Sequence, residues 1–181
     1  MVRNSVLAVL CAGAFCAFAS AKTGKMSAAD RNFMKTAAES NMKEAHLGKM
    51  AQEQASDEGV KSFGQTLVQD HTEAYEELTA VASKTGESIP KGIDIRRDRA
   101  IEGLAREKRA SFDRSFVRHE VQHHQRTIAE FKREAEKGQN AEVKAYAQKM
   151  IPTLEEHLHK AESLEKSEQR TSTASASRRS R

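Results

Sequence analysis

The chain has 181 residues, with 30 Lys and Arg against 26 Asp and Glu, two Pro, no Trp and a formal net charge of +4. This length suits a single domain, and no run of alternating β-branched and aromatic residues indicates a strand. Charges of both signs are interleaved along each helical segment, which is typical of a solvated helix face and not of a nucleic-acid-binding surface. The composition therefore predicts an all-α protein that does not bind nucleic acid.

The first 21 residues have the pattern of a secretory signal peptide. Arg3 provides the positive start, residues 5–18 are an apolar stretch too short to span a bilayer comfortably, and residues 19–21 are the small residues of a cleavage site. Cys11 and Cys16 both fall in this segment, so the mature chain has no disulfide. We expect an exported protein of the periplasm or cell envelope without a membrane span after cleavage; a retained anchor is the alternative.

Four long helices are predicted from apolar residues spaced three and four apart, with capping residues and helix breakers between them. A capping box at Ser27–Asp30 starts the first helix, and the turn at Ser56–Gly59 leads into the second, which ends at Gly86. A further helical stretch is expected at roughly Asp98–Arg109. Residues 138–140 then separate the third long helix from the fourth, with Asn140 as a good N-cap.

Two short connections flank one long connection, and this order has a topological meaning. The short turns make two antiparallel hairpins, while the long link can return along the bundle, so that the second and third long helices point the same way. The predicted fold is therefore a ferritin-like four-helix bundle with a helix-containing crossover, formed by residues 26–168. Residues 169–181 are low in complexity and basic, and we expect them to be disordered.

One ionisable residue interrupts the apolar stripe of each long helix: Glu44, His71, His124 and His157. Buried ionisable groups need partners, so four of them in one core predict either a metal site or a hydrogen-bonded polar network. Glu120, one turn before His124, belongs to the same predicted site. Asp70, beside His71, is an additional or supporting group.

The register of the helices tests this convergence. Glu44 lies 13 residues before Asp57 and His71 lies 14 after it, so the two side chains reach nearly the same height. His124 lies 15 residues before Gln139 and His157 lies 18 after it, a mismatch of roughly one helical turn. A bend at Pro152 is one way to absorb this mismatch, although Pro152 can equally serve packing alone.

The two hairpins resemble each other weakly, as an old duplication would. The first helices match at an offset of 80 and the second helices at an offset of 83. These offsets place Glu44 opposite His124 and predict a second turn that is three residues longer than the first.

A known family shares motifs spread along residues 26–164. The chain resembles the exported bacterial ferritin-like domains of unknown function numbered 4142, and this resemblance implies a four-helix, envelope-located domain without an agreed activity. His123 departs from the pattern, because the family more usually has an acidic residue there, and an extra ligand at this position would be peculiar to this chain. The segments that carry the resemblance are Glu44-Ala-His-Leu-Gly-Lys-Met-Ala, Val60-Lys-Ser-Phe-Gly-Gln-Thr-Leu-Val-Gln-Asp-His71, Phe112-Asp113 with Val121-Gln-His-His124, and Ile151-Pro-Thr-Leu-Glu-Glu-His157-Leu.

The donor set limits the chemistry of the predicted site. A ferritin-like di-iron site needs a Glu-x-x-His pair on each of two helices, and the relevant helices offer only Glu120-Val-Gln-His123. Three histidines with one or two carboxylates better suit a single zinc, iron or copper ion, with copper or zinc favoured by affinity. We predict a non-enzymatic envelope or stress-related protein; the alternative is a mononuclear or dinuclear metal-binding protein for storage or oxidase-like chemistry.

The segment His119-Glu120-Val-Gln-His123 also matches the H-E-x-x-H signature of zinc metallopeptidases. The apolar stripe turns Glu120 inward, His119 toward solvent and His123 to one flank. These peptidases usually hold substrate along a sheet edge, and the sequence predicts no sheet. Peptidase activity is therefore the least favoured alternative.

Overall fold

A computed structural model of the chain describes residues 25–179, without the side chains of Arg97 and residues 171–179. The predicted signal peptide lies outside these residues. No strand occurs in this part of the chain, and the all-α prediction is confirmed. None of the helices described here is both long enough and apolar enough to cross a membrane. The helices are α1 (Ala28–Gln54), α2 (Glu58–Thr85), α3 (Arg99–Ala105), α4 (Arg109–Lys137) and α5 (Ala141–Arg179), with a 3-10 turn at Ile95–Arg97.

The predicted caps are present. Ser27 and Asp30 form the expected capping box of α1, with each side chain accepting the backbone N–H of the other residue. Asp57 caps α2, and Gly86 ends α2 with a positive φ of 71°, a conformation that glycine adopts without strain. Asn140 caps α5 by accepting the backbone N–H of residues 142 and 143.

Three predicted boundaries differ from the structure. α3 is shorter than the expected helix at 98–109, and α4 begins at Arg109 instead of Ser111. α5 continues to Arg179, past Glu168, where the sequence predicts the start of a disordered tail. No Gly or Pro follows Pro152 in the sequence, so no residue after it breaks the helix.

The four long helices contact one another as two hairpins laid side by side. α1 packs against α2 and α4 against α5, while α2 also contacts α5 and α1 contacts α4. Asp30 of α1 bonds Gln139 at the end of α4, whereas Ser56, just after α1, bonds Asp113 near the start of α4. α1 and α4 are therefore antiparallel, so α2 and α4 run in the same direction, and residues 86–108 return along the length of the fold.

Each hairpin turn is held by an aspartate of the other hairpin. Asp113 accepts the backbone N–H groups of Ser56 and Asp57 at 3.0 and 3.1 Å. Asp30 accepts the backbone N–H of Gln139 at 2.9 Å. These contacts satisfy polar groups at two helix–helix turns, and they fix the relative height of the two hairpins.

The two turns have equal lengths, residues 55–57 and 138–140. The expected three-residue difference is therefore wrong. A single offset of 83 relates both ties, because Asp30 corresponds to Asp113 and position 56 to position 139. At this offset Asn41, and not Glu44, is the counterpart of His124. The mismatch arose because similar side chains recur every three to four residues on one helix face, so a match can slip by one turn.

Apolar side chains form two clusters, one toward each end of the helices. Met34, Leu78, Phe131 and Tyr146 belong to one cluster, whereas Leu47, Phe63, Phe116 and Ala161 belong to the other. The buried ionisable residues lie between these clusters in sequence on every long helix. The core therefore contains a polar layer with apolar packing on both sides.

Candidate metal centre

Three histidines from three different helices meet in the polar layer. His71 of α2, His124 of α4 and His157 of α5 each offer one ring nitrogen, and the three atoms lie within 4.8 Å of one another. Their exposed fractions are 2%, 0% and 3%. His124 Nε2 is 3.3 Å from His157 Nδ1, so the side chains span the one-turn mismatch that the sequence predicts between them.

A hydrogen-bond acceptor faces the outer nitrogen of each ring. His157 Nε2 lies 2.8 Å from the Asp70 carboxylate, and His124 Nδ1 lies 3.0 Å from the backbone oxygen of Glu120. His71 Nδ1 lies 3.0 Å from the side-chain oxygen of Asn41. A nitrogen that faces an acceptor carries the proton in a neutral imidazole, so the other nitrogen has a free lone pair. All three lone pairs belong to the nitrogens that converge.

Asn41 is the supporting residue that sequence analysis missed. Its amide nitrogen donates to the hydroxyl of Tyr146 at 3.0 Å, which turns its oxygen toward His71. Both partners are buried. The available signal was a polar residue inside the apolar stripe of α1, one turn before Glu44. The remaining nitrogen of His71, Nε2, has no hydrogen-bond partner among the residues that the structure describes.

Burial keeps two of these imidazoles neutral. Desolvation lowers the pKa of His71 to about 3 and the pKa of His124 to about 4, although the Glu44 carboxylate acts in the opposite direction on both. At neutral pH both rings are unprotonated, the form in which imidazole binds a metal.

Glu44 does not join the three histidines directly. It groups instead with Glu120 and His124, with one ligand atom from each within 4.8 Å of the others. The quartet predicted as one cluster is thus two groups that share His124. The reason is geometric: α1 and α4 contact each other on one side of the fold, while α2 and α5 contact on the other.

The two carboxyl groups have opposite pKa directions. Burial, and then the neighbouring Glu44 charge, raises the pKa of Glu120 well above its ordinary value. Burial alone would raise the pKa of Glu44 too, but His123, His124 and His71 hold it below its usual range. Within the described residues, Glu44 Oε2 and both carboxyl oxygens of Glu120 are buried without a hydrogen-bond partner. Such atoms are costly unless a cation or a proton satisfies them.

His119 and His123 form a third group with Glu44. Both rings are half-buried, so the expectation that His119 faces solvent is wrong; residues 98–101 of the crossover line the same cavity and shield it. Glu120 is fully buried on the opposite side of the group. It is not placed to reach a bound peptide, and the geometry gives the peptidase alternative no support.

These observations define an all-α protein whose buried imidazoles and carboxylates lie between two apolar clusters. Residues 16–164 match the family described as "Domain of unknown function (DUF4142)", and the chain belongs to that family. The resemblance drawn from the sequence is confirmed. A comparison with curated proteins gave no match.

Solved structures with a similar fold come from other proteins. A DUF305 fragment from Deinococcus radiodurans is 16% identical, with 77% of this chain and 96% of that chain covered and a TM-score of 0.67. CopM in the Cu(I)-bound form is 17% identical, with 74% and 93% covered and a TM-score of 0.61. CopM in the Cu(II)-bound form is 15% identical, with 76% and 96% covered and a TM-score of 0.60. At these identities the likeness shows the fold alone.

Proposed function

We propose that this protein is an exported, ferritin-like helical-bundle protein that binds one transition-metal ion at His71, His124 and His157, without enzymatic activity. The observation that carries the proposal is the arrangement of the three rings: each outer nitrogen faces an acceptor, and each lone pair lies on a nitrogen of the converging group. Outer partners of this kind orient histidine ligands in metal sites.

The spacing of the nitrogens supports the same proposal. Two imidazole nitrogens bound to one ion at about 2.0–2.1 Å in tetrahedral geometry are separated by roughly 3.3 Å. The observed distance from His124 Nε2 to His157 Nδ1 is 3.3 Å. Without an ion, these two atoms present lone pairs to each other, which is unfavourable. Three histidines leave a fourth position, for which the neighbouring Glu120 carboxyl group is the nearest candidate.

Copper and zinc are the ions that this donor set favours. Imidazole suits zinc, copper, iron and nickel, and among divalent ions copper has the highest intrinsic affinity. The sequence has no cysteine after Cys16, so thiolate does not compete for the ion in the folded domain. The similar structures of CopM, solved in Cu(I)-bound and Cu(II)-bound forms, make copper the first ion to test.

The wider features of the proposal rest on topology and on the N-terminal segment. Parallel α2 and α4, joined by a long connection between two hairpins, support the ferritin-like description. The signal-peptide pattern of residues 1–21 supports export to the periplasm or envelope.

A purely structural polar network is the competing explanation. In that case the rings and carboxyl groups hydrogen-bond one another and fix the helix register. The unpartnered atoms argue against it: His71 Nε2, Glu44 Oε2 and both Glu120 carboxyl oxygens are buried without a hydrogen bond in the described part of the chain. A completed network would satisfy these atoms.

Elemental analysis of protein purified without a His tag tests the proposal. The wild type should retain close to one copper or zinc ion per chain, and His71→Ala and His157→Ala should lose it. His159→Ala is the matched control, because His159 lies on α5 two residues from His157 but is exposed. Metal-free wild type with the same melting temperature in the presence and absence of chelator would contradict the proposal.

A further inference from the structure

A separate group of metal-ligating side chains lies where α1 meets α4. Glu44 of α1 and His119 and His123 of α4 each offer one ligand atom within 4.8 Å of the others. The two imidazoles are one helical turn apart, with nearly parallel rings and centroids separated by 5.9 Å. Glu44 Oε1 is 3.4 Å from His123 Nε2. Two histidines and a glutamate form a donor set that binds zinc and leaves one position open.

Solvent reaches this group, unlike the three buried histidines. A surface cavity of about 240 Å³ is lined by Glu44, His119 and His123, together with charged side chains of the rim. Lys43 in this rim is paired with Asp98 at 3.0 Å, so its charge repels an approaching cation less than a free ammonium would. Arg126 is exposed and also lines the cavity.

His123 is held in place without a fixed tautomer. Its Nε2 is 3.1 Å from the hydroxyl of Ser40 and 3.2 Å from the hydroxyl of Thr127. A hydroxyl can donate or accept, so these contacts persist whichever ring nitrogen carries the proton. The ring can therefore offer a lone pair to an ion without losing its position.

Shared residues connect this surface group to the core. Glu44 also belongs to the group with Glu120 and His124, and His124 also belongs to the group with His71 and His157. Each group overlaps the next by one residue. An ion can thus move inward by exchanging one set of ligands for the next, with no step at which it lacks a protein ligand.

We propose that Glu44, His119 and His123 form a second metal site, which takes a divalent ion such as Zn²⁺ from solvent and passes it to the three-histidine core. The second site stands on its own contacts, whereas the transfer to the core rests on the proposed function. The transfer is a ligand exchange, in which Glu44 and then His124 replace the outer histidines without any change in the oxidation state of the ion.

The number of ions bound by each variant tests the site. Untagged protein is equilibrated with zinc chloride alone, separated from free Zn²⁺ and analysed for metal. We expect two ions in the wild type, one in His119→Asn/His123→Asn, and one in His71→Ala/His157→Ala. His46→Asn is the matched control, because His46 is on α1 two residues from Glu44 and outside all three groups; it should keep two ions. Circular dichroism checks that each variant is helical.

The outcomes separate the two proposals. One ion in the wild type, lost only in the core variant, would overturn the second site and leave the core intact. One ion lost only in His119→Asn/His123→Asn would overturn the core and support the second site. Two ions in His119→Asn/His123→Asn would overturn the second site. If the double variant is not helical, His119→Asn alone is used, because His119 is only half-buried.

The rate of Zn²⁺ uptake tests the transfer. Uptake from a coloured zinc-chelator complex is followed after mixing with metal-free protein. In His119→Asn/His123→Asn the core should still fill, but several-fold more slowly than in the wild type and in His46→Asn. Core filling at the wild-type rate would overturn the transfer.

Discussion

Replacing Glu134 by glutamine should make the stability of the protein less dependent on pH. Glu134 is 7% exposed near the end of α4, beside Asp30. Burial alone would raise the pKa of Asp30, but hydrogen bonds from the backbone of Ser27 and Gln139 lower it, so Asp30 stays charged. Burial, the hydrogen bond to Asp30 and the Asp30 charge raise the pKa of Glu134 to about 7.

The sign and size of the effect follow from this pKa. The ordinary value is 4.5, so the folded protein binds the Glu134 proton more tightly than the unfolded chain does. Its contribution to stability is complete below pH 4.5 and is lost as the pH rises through about 7. The difference in pKa corresponds to about 3 kcal/mol of unfolding free energy. Lys144 and Arg133 favour the charged form, so this value is an upper bound.

Urea unfolding at pH 4.5, 6 and 7.5 (on the order of the two pKa values) measures this contribution. Chelator is present throughout, so that metal binding does not add its own pH dependence. The wild type should lose up to about 3 kcal/mol across this range relative to Glu134→Gln. Glu136→Gln, an exposed substitution on the same helix, should behave as the wild type. Parallel curves for the wild type and Glu134→Gln would refute the reasoning.

Three further substitutions have expected outcomes. Gly48→Ala puts a Cβ atom 2.5 Å from a backbone oxygen of α2 and should cost about 1–3 kcal/mol of unfolding free energy, whereas Gly103→Ala, in α3 with open space around it, should add about 0.5–1 kcal/mol; urea unfolding compares the two, and equal effects would contradict the close helix contact. Asp113→Ala leaves buried N–H groups of the α1–α2 turn unpaired and should cost about 2–3 kcal/mol, measured as a lower melting temperature; an unchanged value would mean that water replaces the carboxylate. Asn41→Ala removes the acceptor of His71 and should weaken metal binding about 10–100-fold in a chelator competition, while unchanged affinity would show that the ring needs no support from α1.

Local sequence signals predicted much of the fold because they act over a few residues. The capping box at Ser27, the cap at Asp57, the αL glycine at Gly86 and the cap at Asn140 each occur where the sequence places them. The end of α5 was missed because low complexity was taken as disorder, although the segment has no helix breaker. Disorder after Glu168 was therefore the weakest of the predictions about local structure.

The amino-acid pattern by itself determined which side chains enter the core. The period of each apolar stripe turns Glu44, His71, Glu120, His124 and His157 inward, and all five are buried. It could not determine how they divide among groups, because a group depends on which helices are neighbours and on how far each side chain reaches.

Tertiary structure decided that division. Contacts between α1 and α4, and between α2 and α5, separate Glu44 from His71 and His157 and bring it to His119 and His123. The hydrogen-bond acceptors that orient the core rings come from three other elements of the chain, as with Asn41 and Asp70. Such partners are distant in sequence and meet only when the helices pack, so periodicity along one helix carries no information about them.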